Sequence, residues 1–115
     1  MFGPIPSVDP ILSLTYAAAL TQKIKIGTSI LLSVLRHPVY LAKGLASLDH
    51  LSQGRLIVGV GVGGYTQSPY YPAFGMSPEE VGDRFEEGIV LMEKLWAEEE
   101  VDFDGRFWQI KQMSI

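Results

Sequence analysis

Apolar and polar positions change period along this chain, and each change marks a predicted element. From Pro10 the apolar residues Ile11, Leu14, Ala17 and Ala18 fall three and four apart, so one helical stripe should run to about Gln22. Asp9 suits the start of that helix, because its carboxylate accepts from free amides of the first turn. Pro10 gives up only an N–H that has no intrahelical partner there. "KIKIGTSILL" then alternates Lys with Ile before turning wholly apolar, the pattern of a strand buried at its far end.

Helical spacing returns after His37-Pro38, with Leu41, Leu45 and Leu48 on one side and Ala42 and Ala46 beside them. Gly54 stands where a left-handed residue would end this second helix. "RLIVGVGV" reads as a second buried strand and "GGYTQSPYYPAFGM" as a long loop. "SPEEVGDRFEEGIVLMEKLW" reads as a third helix, with Phe85, Ile89, Met92 and Trp96 as its apolar stripe. Ser77 and Glu80 around Pro78 have capping-box spacing. In "VDFDGRFWQI", Asp104-Gly105 between aromatic-rich runs predicts a hairpin turn with positive φ.

Helices between strands imply parallel pairing with right-handed crossovers, and so a doubly wound sheet or a barrel. Two strands do not close a barrel, which takes eight strand–helix units and roughly 250 residues. A parallel pair also needs cover on both faces. The 115 residues therefore form either a very small sheet or a piece of a larger protein.

A formal net charge of −4 argues against nucleic acid as the partner, since phosphate binding needs clustered Lys and Arg. The acids gather in "SPEEVGDRFEEG" and "WAEEEVDFDG", as on solvated helix faces and loops, and no metal site is assigned to them. Cysteine is absent, which removes thiolate nucleophiles, disulfides and Cys-based zinc sites and agrees with a reducing cytoplasm. The apolar runs are interrupted before reaching spanning length, so a soluble, cytoplasmic protein without membrane partners is expected.

Gly59, Gly61 and Gly64 match the G-x-G-x-x-G spacing of dinucleotide-binding loops. That motif holds pyrophosphate on amides at a helix start, so an NAD-binding Rossmann module needs a helix opening at Gly63 or Gly64. The continuation "YTQSPYYP" has no helical stripe and carries two prolines. Two other readings compete. The glycines bare the C-terminal end of a barrel strand for a planar cofactor, or they relieve packing against neighbouring strands.

Taken together, "IKIGTSILLSVLRHPVYLAKGLASLDHLSQGRLIVGVGVGG", "RFEEGIVLMEKLW" and "VDFDGRFWQI" resemble the bacterial luciferase-like flavin or deazaflavin oxidoreductases, most closely the branch using coenzyme F420. The resemblance runs over nearly the whole chain from Asp9. It implies an α/β fold in which residues 1–115 are part of a (β/α)8 TIM barrel: about strands three and four, their helices and an insertion hairpin. It also implies a non-prolyl cis bond at Ser29-Ile30, backing the central ring of the cofactor. Val62 and Gly63 match the end of the fourth strand beside that ring. Leu32 matches a position near the cofactor phosphate or ribityl chain, and Gln67 a position where F420 enzymes place a side-chain amide. Sugar-phosphate dehydrogenases of this branch carry a catalytic Glu where this chain has Gly64, which argues against glucose 6-phosphate as the substrate.

The expected protein is thus an oxidoreductase or monooxygenase. It uses F420, or alternatively FMN, on a small organic substrate, its parent is a homodimer, and no catalytic residue is assigned. From a different class, the alternative is a non-catalytic half-barrel interaction fragment, inactive alone and prone to associate. Tyr65, Tyr70 and Tyr71 either shape the substrate side or belong to a plain surface loop. His37 and His50 read as structural residues at helix ends. Asp49 and Arg55 read as an ion pair or cap, and a Ser29–His37–Asp49 triad has nothing to fix its geometry.

Overall fold

The computed structural model describes residues 8–63 and 70–115. In chain order, α1 (Pro10–Leu20) leads to β1 (Ile26–Leu32) and a 3-10 turn at Ser33–Leu35. Then follow α2 (Pro38–Ser52), β2 (Leu56–Gly61), the single turn α3 (Tyr70–Ala73), a 3-10 turn at Pro78–Glu80 and α4 (Val81–Ala97). β3 (Val101–Asp104) and β4 (Gln109–Met113) close the chain as a hairpin. β1 and β2 pair in parallel and β3 and β4 antiparallel, in separate two-stranded sheets.

The caps of the first two helices follow the local chemistry. Asp9 accepts from the amides of Ile11 at 2.9 Å and Leu12 at 3.3 Å. His37 accepts at Nδ1 from the amide of Val39, so it serves the helix start as a structural residue. α2 ends with Gln53 and Gly54 both left-handed, at φ 59° and 74°, while their amides return to the carbonyls of His50 and Asp49.

One face of the strand pair is packed. Leu31 joins Leu41, Ala42 and Leu45 of α2 and Leu91, Met92 and Leu95 of α4, with Leu56, Val58 and Val60 against them. Each large aliphatic side chain buried here contributes about 1.5–3 kcal/mol. The other face is open: Ile30 is 55% and Ile57 59% exposed. The Cα radius of gyration is 15.3 Å, against about 13 Å for a compact chain of this length. The shape is an open slab, as the two-strand count implies.

Several expectations need correction. "KIK" does not join β1, because the chain bends at residues 22–24 and the Ile24 carbonyl turns to Arg55. Pro78–Glu80 is a 3-10 turn in which the Ser77 side chain makes no capping bond, so the capping box does not form; the Glu80 carboxylate faces Arg84 instead, at 3.7 Å. The buried face of α4 centres on Gly88, Leu91, Met92 and Leu95, and Trp96 is 45% exposed. The Trp108 ring packs against Gly88, where a Cβ would lie 3.5 Å from it.

The hairpin forms, but Gly105 does not have a positive φ. Its loop is four residues long, with the Gly105 amide bonded to the Trp108 carbonyl. Glycine is required there for space, since an added Cβ would overlap Glu87 Oε1 and lie 2.5 Å from Phe103. The Glu87 carboxylate accepts from the amides of Arg106, Phe107 and Trp108 at 2.8–3.1 Å and so caps the loop. Of the other late acids, Asp83 pairs with Arg106 and Glu98 with Lys94, while several are simply exposed. Among the described residues, no cluster of three or more acidic or imidazole ligands could hold a metal, and no helix is long and apolar enough to cross a membrane.

Candidate functional site

β1 and β2 end side by side, Leu31 opposite Val60 and Leu32 opposite Gly61. The register slips between Thr28, opposite Val58, and Leu31, so Ser29 and Ile30 together face the single residue Gly59. That two-to-one arrangement is a bulge, and bulges re-aim side chains beside functional sites. The Ser29-Ile30 bond is cis, at the position the resemblance implied. Both residues are exposed on the open face.

The glycines of β2 first serve this bulge. A Cβ on Gly59 would lie 2.5 Å from the Thr28 carbonyl oxygen, and one on Gly61 would overlap Ile30 Cδ1. Their absence of side chains makes room for β1, which favours the packing-relief reading at these positions. The result is a small apolar shelf: Ile30 lying over bare β2 main chain, with Leu32 beside it. A planar ring can cover such a shelf without meeting a bulky side chain from β2.

The remaining expected site residues divide. Gly63 has φ 81° and therefore does not open a helix; a Cβ there would sit 2.9 Å from Leu32 Cδ2. Val62 packs toward Val34, Tyr71, Met76 and Val81, and its carbonyl accepts from the Tyr71 hydroxyl. Tyr71 is 2% exposed, packed with Val34, Met76 and Val81, and is removed from the candidate substrate side. Gln67, like Tyr65 and Gly64, lies outside the described residues, as does a helix start at Gly64. Ser29, Ile30, Leu32 and Gly63 are brought together at the strand tips, with Val62 at their edge.

Beside the shelf, a cleft of ≈ 530 Å³ is lined by Ile30, Leu32, Leu35, Arg36, Phe74 and Pro10. Arg36 pairs with Asp9. The Arg36 guanidinium holds the Asp9 carboxyl below the usual carboxylate range, with the Leu12 and Ile11 amides adding to it and partial burial opposing it. A second cleft, ≈ 500 Å³, borders Asp49, His50 and Trp96 near the start of β2. Barrel sites lie at the carboxyl ends of strands, so the first cleft is the relevant one.

Thr28 was not singled out by the sequence reading, and of the two readings of Arg55, ion pair or cap, the cap is the one that forms. Thr28 donates its hydroxyl to the Gly59 carbonyl at 2.8 Å and accepts from the Gly59 amide at 3.0 Å. Arg55 is not paired with Asp49. It is 9% exposed and donates to the carbonyls of Ala18, Thr21, Ile24 and Ser52 and to the Thr21 hydroxyl, at 2.7–3.0 Å. A threonine in an apolar strand and an arginine before one give no local sign of such partners.

β1, α2 and β2 thus form a parallel strand–helix–strand unit with a bulge in its first strand. Residues 2–115 match the family model for luciferase-like monooxygenases, and the chain belongs to that family. It is 33% identical over 106 residues to an F420-dependent glucose-6-phosphate dehydrogenase of Kineococcus radiotolerans, covering 89% of this chain and 31% of that protein. Among solved structures, monooxygenase RslO1 of Streptomyces bottropensis superposes with TM-score 0.84 at 40% identity, over 92% of this chain and 32% of that one. The oxygenating constituent of 3,6-diketocamphane monooxygenase from Pseudomonas putida, in complex with FMN, gives TM-score 0.80 at 28% identity, over 92% and 30%. The fold is that of luciferase-like TIM-barrel proteins, and the chain spans about a third of the length of the relatives it matches.

Proposed function

We propose that residues 1–115 supply the third and fourth strand–helix units and the following hairpin of a luciferase-like oxidoreductase, whose F420 or FMN lies against the tips of β1 and β2. The observation that carries this reading is the exposed Ile30 shelf at the β1 bulge, beside the bare tip of β2. When bound, such a cofactor supplies hydride transfer or oxygen activation; the protein's part is to bind it, orient it and limit solvent access. Ser29 and Ile30 support one ring face, Gly63 and the main chain of Val62 border it, and Leu32 lies toward the ribityl or phosphate end. Gln67 supplies an amide in this reading.

F420 is the preferred cofactor, supported by the F420-dependent relative and by the match of "GTSIL" and "VDFDGRFWQIK" to that branch. The substrate is a small organic molecule other than glucose 6-phosphate, because Gly64 brings no carboxylate where that reaction's catalytic Glu would stand. Titrating the full-length protein with each cofactor, read by absorbance and fluorescence, tests the proposal. Tight F420 binding is expected; tight FMN binding without F420 binding would reverse the preference, and binding of neither would refute the function.

A further inference from the structure

We propose that Thr28 is a positioning residue for the bound cofactor, acting through Ile30; this rests on the cofactor reading above. The bulge puts Ser29 and Ile30 against Gly59 alone, so the regular ladder does not set how closely the strands approach there. The strands are already close one step earlier, where a Cβ on Gly27 would lie 2.7 Å from the Ile57 carbonyl oxygen, and at the bulge the Thr28 hydroxyl carries that approach forward. A hydroxyl can donate once and accept twice, and Thr28 Oγ1 uses both capacities on the two main-chain groups of Gly59.

The consequence for the open face is geometric. With Gly59 held by the Thr28 hydroxyl, the two strands come so close that a Cβ on Gly59 would lie 2.5 Å from the Thr28 carbonyl oxygen. Two residues further along each strand tip, Ile30 Cδ1 occupies the space a Gly61 side chain would need, with Cγ1 at 3.6 Å from that Cβ position. Thr28, Gly59, Gly61 and Ile30 therefore act as one unit. The hydroxyl carries the close approach of the strands through the bulge, their separation there sets the height of Ile30 over β2, and that height sets where a planar ring comes to rest. Ile30 touches the cofactor; Thr28 does not.

The test uses the full-length protein with F420 and FMN as probes. Cofactor Kd, the absorption and circular dichroism of the bound cofactor, and the melting temperature of the cofactor-free protein are the three readouts. Thr28→Val keeps the shape and removes both hydrogen bonds, and should weaken binding about tenfold and shift the bound spectrum. Thr28→Ser keeps the hydroxyl and should restore the parental spectrum and bring Kd within about threefold. Gly61→Ala should weaken binding about tenfold by displacing Ile30. Adding Ile30→Val, which removes the Cδ1 that would be overlapped, should recover most of that loss.

A Thr28→Val protein with parental Kd and spectrum would overturn the proposal, as would a Thr28→Ser protein that behaves like the valine variant. Should Thr28→Val not fold, the serine variant and the Gly61→Ala/Ile30→Val pair decide: parental binding by Gly61→Ala, or no recovery in the pair, counts against it. A parent protein that binds neither cofactor refutes the functional reading and this inference together, whereas a parent that binds one while all variants match it refutes this inference alone.

Discussion

The two ends of the β1–β2 pair are fastened in opposite ways. At the amino end, the buried Arg55 guanidinium donates to five acceptors drawn from α1, the bend after it and the end of α2. All of them are neutral, so the cation is held by carbonyl and hydroxyl dipoles, and it satisfies carbonyls that the end of α1 would otherwise leave open. Toward the carboxyl end the Thr28 hydroxyl spans a bulge before the ladder resumes at Leu31–Val60 and Leu32–Gly61, with no charged group among these contacts. One end joins three elements into a base. The other carries the bulge that aims Ile30, and barrels likewise place stability at the amino face and chemistry at the carboxyl face.

The strongest way to break this comparison is at Arg55. Arg55→Leu in the full-length protein should cost roughly 3–5 kcal/mol in urea unfolding, since several buried acceptors lose a charged donor together. Cofactor affinity of the folded fraction should change less than about threefold. A large affinity loss with little loss of stability would show the ends to be coupled rather than divided.

Glu87 offers a third fastening, distant in role from both ends. Glu87→Ala removes the acceptor for three loop amides and should cost about 1–3 kcal/mol. Hydrogen exchange at Arg106, Phe107 and Trp108 should speed up, while exchange near Thr28 and Arg55 stays as in the parent. Unchanged exchange in the loop would mean that the hairpin holds its own shape.

The smallest effect belongs to Asp9, which links the start of α1 to Arg36 beside the cleft. Its folded-state carboxyl titrates below the ordinary aspartate value of 3.8, so its stabilisation is fully present above that pH and is lost as pH falls through the lowered folded-state value. With Asp9 and Arg36 both about a third exposed, Asp9→Asn should cost less than about 1 kcal/mol near neutral pH. The gap between parent and variant in a pH series of thermal melts should close in acid; a constant gap would assign the loss to the helix cap alone.

The order of the main helices and strands, the apolar face of α2 and the cap at Asp9 were legible because they depend on neighbours within a turn, whereas the single turn α3 falls in a stretch read as loop. Ser29, Ile30, Leu32 and Gly63 were matched by motif, and the structure places them at the β1 bulge, the β1 end and just past β2. Val62 illustrates the limit, since a valine after a strand reads alike whether its side chain faces a ligand or, as here, packs with Val34 and Tyr71. α4 shows the same limit in a helix: period told which residues share a side, while the face that is buried centres on Gly88, Leu91, Met92 and Leu95, with the Trp108 ring against Gly88.

By itself, then, the chain's pattern determined where helices and strands lie, that the strands run parallel, and which family the chain resembles. Only the tertiary structure decided that Arg55 serves carbonyls instead of Asp49, that Thr28 closes the bulge, and that the β2 glycines yield space to Ile30. Apart from Ser52, three residues before Arg55, those partners lie 31 to 37 residues apart in sequence. Periodicity carries information over a few residues along one element, whereas such contacts depend on how two elements cross and how closely their backbones approach.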